Sequence, residues 1–181
     1  MTRLIVGLGN PGKQYQFSRH NLGWMVLDQL ATDLNLQWST HKYSLTSKSP
    51  DLILAKPTTY MNLSGQAVQK LKAFYKLDNQ AITIVYDDYA IDFGDLRIRH
   101  SGSDAGHNGL KSVIQAIGED FWRYRIGIGP KPEYQPTRDF VLANFSDNEV
   151  SSLGSIIPAT AKYLLDTAQP ADTTLRILDL P

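Results

Sequence analysis

The sequence predicts an α/β layered fold. Apolar runs typical of buried strands alternate along the chain with segments whose apolar residues recur every three or four positions, as on an amphipathic helix. The 181 residues suffice for one domain with a sizeable core, and glycine and proline are spread along the chain rather than gathered in a linker. We therefore expect residues 1–181 to form a single domain.

The first half of the chain predicts three strands and two helices. A buried strand is expected at 4–8, followed by an amphipathic helix at 21–35 for which Asn21 is a plausible N-cap. Loose alternation predicts a strand within 37–47, and a short apolar run ended by Pro57 predicts another at 52–55. The segment 62–77 has one apolar helical face, and either Asn62 or Ser64 could cap it.

The second half begins with the strongest strand signal, the β-branched run 81–86, which ends at Asp87 and Asp88. Two carboxylates are thereby expected at the carboxyl end of a buried strand, where open α/β sheets bind ligands. Further strands are predicted at 96–99 and 122–129, and a helix after the loop 101–109. A last helix is predicted at 147–168, in spite of Pro158.

Composition excludes several classes of site. The chain has no cysteine, which rules out disulfides, thiolate metal sites and a cysteine nucleophile. No apolar run approaches the roughly 20 residues that span a bilayer, so we expect no membrane segment and a cytoplasmic location. Net charge is zero, but residues 1–76 and 96–131 are basic while 77–95 and 132–181 are acidic. This segregation is compatible with a basic face for a phosphate-rich partner and equally with ordinary surface mixing.

Gly7, Gly9 and Gly12 match the G-x-G-x-x-G fingerprint of dinucleotide-binding folds. In those folds a helix follows the glycines at once, and its N-terminus holds the pyrophosphate. Here Pro11 interrupts the motif, and no helical pattern begins before residue 21. We interpret the glycines as a turn that brings Asn10 close to a ligand. A nucleotide-binding oxidoreductase stays open as a rival hypothesis.

His20 is the candidate general base, because it lies between the glycine turn and a helix start and imidazole suits proton transfer near neutral pH. Either Asp87 or Asp88 could orient it. The histidines lack metal-ligand spacing, so we expect no metal site, and Ser64 lacks the context of a nucleophile. A hydrolase would then activate water directly, with amide side chains stabilising the oxyanion. Asparagines at predicted loop ends are Asn10, Asn62 and Asn108.

Six segments together resemble bacterial-type peptidyl-tRNA hydrolase, the esterase that frees tRNA from prematurely released peptides. They occur in the family's order across nearly the whole chain. These segments are VGLGNPGKQYQFSRHNLGW, KPTTYMNLSGQAV, IVYDDYAIDFGDLRIR, GHNGLKSVI, YRIGIG and DFVLANFS.

The resemblance implies a single-domain layered fold with a twisted, mostly parallel mixed sheet flanked by helices. It implies hydrolysis of the peptidyl-tRNA ester without a cofactor by a protein that is usually monomeric. His20 falls on the general base and Asp88 on its supporting carboxylate, while Asn10 falls on a residue that distinguishes blocked from free aminoacyl-tRNA. The positions expected to contact the 3′ end or the peptide are Tyr15, Tyr60, Met61, Asn62 and Asn108.

Two departures from the family's pattern affect the expected RNA contacts. Asp104 adds a carboxylate to a loop that is usually glycine-rich, and Pro130 stands where a basic or imidazole residue is usual. Lysines and arginines within 97–131, with others in the first half, are expected to contact phosphates without reading sequence. An RNA-binding module of the same fold without catalysis is the second rival hypothesis.

Overall fold

The computed structural model describes residues 2–167 and 170–179. The strands are β1 (Arg3–Gly7), β2 (Ser39–His41), β3 (Ser44–Lys48), β4 (Leu52–Pro57), β5 (Ile82–Asp92), β6 (Asp95–Arg99), β7 (Trp122–Gly129) and β8 (Thr173–Arg176). The helices are α1 (Leu22–Asp33), α2 (Ser64–Tyr75), α3 (Asn108–Ile117), α4 (Thr137–Leu142) and α5 (Asp147–Asp166). No helix among the described residues is long and apolar enough to cross a membrane.

The eight strands found among the described residues belong to one mixed sheet in the order β2-β3-β4-β1-β5-β7-β6-β8. Parallel pairing joins the four central strands β4, β1, β5 and β7. Antiparallel pairing adds two strands at each edge. The predicted α/β fold with a mixed sheet is confirmed, but the expectation of a mostly parallel sheet is corrected: three of the seven pairings among the described strands are parallel, all at the centre.

Side chains of successive strand residues point to opposite faces, so both faces of this sheet carry apolar side chains. Two long helices cover each face. Ile5 of β1 packs in the core beneath α1 and α5, together with Val85 of β5. Leu4 and Val6 pack on the other side, in the core beneath α2 and α3. This three-layer arrangement leaves the carboxyl ends of the central strands accessible for a site.

Several predicted elements differ in detail from those observed. Segment 37–47 is a hairpin of two strands, because the chain turns back at residues 42–43 and β2 pairs with β3. β5 continues past its predicted end at residue 86, since its pairing with β7 extends to Asp92. α4 and β8 were not predicted, and residue 168 of the predicted last helix lies outside the described residues.

The predicted helix caps also differ. Asn21 occupies the N-cap position of α1, but its side chain makes no capping bond. At α2, neither Asn62 nor Ser64 caps the helix: the Ser64 hydroxyl donates to the Met61 carbonyl at 2.8 Å. α5 has a full capping box, in which Ser146 and Glu149 bond each other's backbone N–H.

The glycines of the opening motif serve close packing. A Cβ on Gly7 would lie 2.3 Å from the Gly23 carbonyl oxygen, and one on Gly9 would lie 2.6 Å from the Trp24 ring. Both contacts are with α1, so these positions let the helix pack tightly on β1 and on the loop that follows. A short 3-10 turn, rather than a helix, follows Gly12. This geometry supports the interpretation of the motif as a turn and lacks the helix N-terminus of a pyrophosphate site.

Candidate active site

A cleft of about 710 Å³ opens beside the carboxyl ends of β1, β4 and β5. Its opposite wall is formed by the loop before α3 and by α4. The fold brings every predicted site residue to this cleft: Asn10, Tyr15, His20, Tyr60, Met61, Asn62, Asp88 and Asn108. Asp87 and His107 line it as well.

His20 lies in a 3-10 turn, Arg19–Asn21, that leads into α1, and it is only 7% exposed. Its Nδ1 lies 2.9 and 3.0 Å from the two carboxylate oxygens of Asp87. An ionised carboxylate only accepts, so Nδ1 carries the proton of the neutral ring and Nε2 keeps its lone pair. This arrangement fits a base whose second nitrogen is available to the cleft.

His107 is a second imidazole at the same carboxylate. Its Nε2 lies 3.3 Å from Asp87 Oδ1, and its ring centroid lies 4.7 Å from that of His20. Its Nδ1 accepts the Leu110 backbone N–H at 3.1 Å, which makes His107 the side-chain cap of α3. Because Nδ1 accepts, Nε2 carries the proton in the neutral ring and donates to Asp87.

Asp87 is nearly fully buried, and two imidazoles fix its charge state. Burial alone would raise the pKa of this carboxyl, but the charges of His20 and His107 and their hydrogen bonds outweigh that effect. The pKa of Asp87 is therefore held well below its ordinary value. The carboxylate is ionised across the neutral pH range and can stabilise a positive imidazolium.

The expectation that Asp88 supports His20 is corrected by this geometry. Asp88 Oδ2 accepts from Arg125 Nε at 2.8 Å and lies 2.7 Å from Arg125 Nη2, while Oδ1 accepts the Ala90 backbone N–H at 2.9 Å. Asp87 and Asp88 are adjacent on β5, and adjacent strand residues point to opposite faces. Only one of the two carboxylates can face the imidazole, and it is Asp87.

Asn10 follows β1 and is held at three of its four polar groups. Its backbone N–H donates to Asn21 Oδ1 at 2.8 Å, and its carbonyl accepts from Asn21 Nδ2 at 3.0 Å. Its side-chain Oδ1 accepts the Met61 backbone N–H at 2.8 Å. The orientation of the Asn10 amide is thereby fixed, with Nδ2 as the remaining donor.

The other predicted residues form the floor and rim of the cleft. Met61 is 5% exposed, and a Cβ on Gly109 would lie 2.3 Å from its sulfur, so α3 packs directly on it. Tyr60 is 57% exposed at the rim. Exposed or half-buried polar groups here can contact a large ligand. Besides Tyr60 they are Tyr15, Asn62 and Asn108.

His20, Asp87 and His107 also form a donor set that could hold a divalent metal, since their facing atoms lie within 4.8 Å of one another. Coordination would require both facing imidazole nitrogens to lose their protons. In His107 the proton would then move to Nδ1 and remove the bond to Leu110. The hydrogen bonding of the site thus favours protons over a metal at these positions.

Both departures from the family pattern have a local structural role. The Asp104 carboxylate accepts the Gly106 backbone N–H at 2.7 Å, which closes the loop before α3. Arg123 holds the same loop by donating to the Ser103 carbonyl at 2.9 Å. After Pro130, Lys131 Nζ donates to the carbonyls of Pro132 and Gln135, at 2.9 and 2.7 Å. Its ammonium is therefore bound within its own loop.

A buried arginine connects the turn that carries His20 to the far wall of the cleft. Arg19 Nη2 donates to Glu149 Oε2 at 2.7 Å, and its guanidinium lies 4.6 Å from the centroid of the Phe140 ring. Burial alone would raise the pKa of Glu149, but its bonds with Ser146 and Arg19 lower it below the ordinary value. Glu149 therefore remains ionised and holds α4 and α5 against the turn that carries His20.

The description "Peptidyl-tRNA hydrolase" belongs to the family model that matches residues 4–175. This chain belongs to the peptidyl-tRNA hydrolase family. It is 48% identical over 166 residues to the peptidyl-tRNA hydrolase of Thermotoga petrophila, covering 89% of this chain and 88% of that protein. It is 44% identical over 168 residues to that of Elusimicrobium minutum, covering 90% of each. The peptidyl-tRNA hydrolase structure from Acinetobacter baumannii aligns with a TM-score of 0.84 and 36% identity, over 91% of this chain and 87% of that one.

The sequence did not single out His107 as a member of the site of this hydrolase. A signal was present: His107 directly precedes α3, at the position where a side chain can accept a backbone N–H of the first turn. That signal predicts a cap and gives no indication of the contact with Asp87. The contact arises because Gly109 lets the start of α3 approach Met61 closely, which brings the loop to the end of β5.

Proposed function

We propose that this protein hydrolyses the ester between the peptide's carboxyl carbon and the terminal ribose of tRNA, with water as the nucleophile and His20 as the general base. The observation that carries the proposal is the bond from His20 Nδ1 to the buried Asp87 carboxylate. That bond leaves Nε2 as the basic nitrogen of a cleft-lining residue.

The proposed step transfers one water proton to His20 Nε2 while the water oxygen attacks the ester carbonyl. Asp87 stabilises the imidazolium that forms. The side-chain amide of Asn62, which lines the cleft, stabilises the negative charge on the tetrahedral intermediate, and Asn10 holds the substrate. Collapse breaks the bond to the ribose oxygen, which takes the proton back from the imidazolium. The products are a peptide carboxylic acid and free tRNA.

We further propose that arginines of β6 and β7 contact tRNA phosphates beside the cleft. Two arginine pairs lie opposite each other in the antiparallel register, Arg97 with Arg125 and Arg99 with Arg123. Arg99 also donates to the Thr173 carbonyl, Arg123 is nearly fully buried and Arg125 is paired with Asp88, so Arg97 is the best placed phosphate ligand. Guanidinium groups bind phosphates without reading base sequence.

The remaining parts of the proposal follow from the substrate. Peptidyl-tRNA is a product of translation, which supports a role in ribosome rescue and a cytoplasmic location. The single sheet that contains all the described strands supports treating residues 1–181 as one domain. We propose that this domain acts as a monomer, because every residue used in the proposed step lies on one chain.

The direct test incubates the protein with N-acetyl-aminoacyl-tRNA and measures the release of uncharged tRNA, with free aminoacyl-tRNA as the matched substrate. The expected result is rapid release from the blocked substrate only. Binding of the blocked tRNA without release by the wild type would favour the RNA-binding module instead. Titration with NAD or NADP, followed by protein fluorescence, tests the oxidoreductase hypothesis, and we expect no binding.

A further inference from the structure

We propose that Asn21 is a positioning residue that fixes Asn10 for substrate recognition, and that it acts through Asn10 rather than through His20 or the stability of α1. The inference rests on the proposed function. It extends that function to a buried amide which contacts no substrate.

Asn21 binds the main chain of Asn10 as a neighbouring strand would. Its Oδ1 accepts the Asn10 N–H at 2.8 Å, and its Nδ2 donates to the Asn10 carbonyl at 3.0 Å. Asn21 is 1% exposed and Asn10 is 7% exposed, so water does not replace these bonds easily. A carboxamide is the side chain that supplies a donor and an acceptor at this spacing.

These bonds determine which group of Asn10 is presented to the cleft. The Met61 N–H donates to Asn10 Oδ1, and the side-chain amide of Asn21 bonds the Asn10 main chain. Among the described residues, only the Nδ2 hydrogens of Asn10 are left without a partner. Asn10 is therefore a fixed donor, and the group it recognises is an acceptor such as a substrate carbonyl oxygen.

A purely structural role for Asn21 does not account for the geometry. Asn21 is the N-cap residue of α1, where an asparagine side chain usually accepts a backbone N–H of the first turn. It makes no such bond, because both ends of its amide are used by Asn10. Asn21 also directly follows His20 in the same 3-10 turn. One rigid turn thus sets the positions of both the base and the recognition residue.

The test compares Asn21→Asp and Asn21→Ala with the wild type and with Thr160→Val. The aspartate keeps an oxygen for the Asn10 N–H but places a second oxygen against the Asn10 carbonyl. The alanine removes both bonds without adding a charge. Thr160→Val is the matched control, since it removes a buried hydroxyl bond to the Ile156 carbonyl within α5, and Thr160 does not line the cleft. Thermal melting of all variants separates loss of fold from loss of positioning.

We expect kcat/KM for N-acetyl-aminoacyl-tRNA to fall about ten-fold or more in both Asn21 variants, mainly through KM. The preference over free aminoacyl-tRNA falls with it, and in Asn21→Ala, which adds no charge, the pH profile stays in place because the pair of His20 and Asp87 is untouched. In an Asn10→Ala background the Asn21 substitutions add no more than about two-fold. Thr160→Val keeps wild-type kinetics.

Three results would overturn the inference: unchanged kinetics in both variants, a shifted pH profile in Asn21→Ala, or losses that multiply with that of Asn10→Ala. If Asn21→Asp does not fold, Asn21→Ala decides between these outcomes. Failure of the proposed function is distinguishable, because the wild type itself would then release no tRNA from the blocked substrate.

Discussion

Replacing Asp87 by asparagine tests the central contact of the site. The substitution keeps the size of the side chain and one oxygen that can accept an imidazole N–H. It removes the negative charge 2.9 Å from His20 Nδ1 and 3.3 Å from His107 Nε2. The imidazolium formed during water activation then lacks its buried counter-charge, so turnover is expected to fall.

The size of the effect follows from Coulomb's law. Two unit charges about 4 Å apart interact by about 4 kcal/mol at an effective dielectric constant of about 20. The substitution removes this stabilising energy from the transition state only, which corresponds to a decrease in kcat of about a thousand-fold. The acid limb of the pH profile also moves to lower pH, because loss of a neighbouring negative charge favours the neutral imidazole.

The assay is single-turnover and steady-state release of tRNA from N-acetyl-aminoacyl-tRNA across pH 5 to 9. Asp88→Asn is the matched control one residue along β5. Asp88 binds Arg125, so we expect Asp88→Asn to change KM and to leave kcat within a few-fold of the wild-type value. A thousand-fold loss in Asp88→Asn together with near-normal turnover in Asp87→Asn would refute the assignment.

Three further measurements test other parts of the proposal. His20→Ala is expected to keep the fold and tRNA affinity while lowering kcat by about 10²–10⁴-fold, and equal turnover in a stopped-flow release assay removes His20 from the mechanism. The logarithm of tRNA affinity, measured by filter binding, should fall linearly with the logarithm of salt concentration. Arg97→Ala should reduce the slope of that line by about one. An unchanged slope contradicts a phosphate contact at Arg97. The pKa of Asp87 is lower in the folded protein than its ordinary value of 3.8, so its stabilising contribution is complete above that pH and is lost as the pH falls below it. Urea unfolding between pH 6 and pH 2 should therefore show a weaker acid dependence in Asp87→Asn, and identical curves would count against the buried ion pairs.

The elements with strong periodic signals could be predicted from the sequence. The apolar run at the start of β5 and the alternating residues of β7 identified both segments as strands, because both are buried in the centre of a sheet. The edge strands are less apolar and depend on their partners. β8 pairs with β6 through half-exposed residues, so no local pattern marks it. α4 has six residues, too few for a helical period to stand out.

The family resemblance predicted the residues that line the cleft, whereas the residue pattern alone did not show that His20 and the β5 acids meet. Strand ends, loop asparagines and a histidine beside a glycine turn are local features, and parallel pairing of β1, β4 and β5 brings them to one edge of the sheet. The choice between Asp87 and Asp88 as the partner of His20 could not be made from the residue pattern. It depends on which face of β5 each residue occupies at the end of the strand, and a shift of one residue exchanges the two faces.

His107 shows why the charge state of the site is a tertiary property. Its Nδ1 is committed to α3 and its Nε2 to Asp87, so helix capping and active-site charge share one ring. Protonation of His107 would cost the helix its cap, whereas His20 has no such constraint at Nε2. His20 Nε2, in the turn that leads into α1, is therefore the ring nitrogen that these bonds leave to the cleft. Two chemically identical imidazoles on one carboxylate are thus assigned different roles by the backbone N–H of Leu110, which no motif in the sequence reveals.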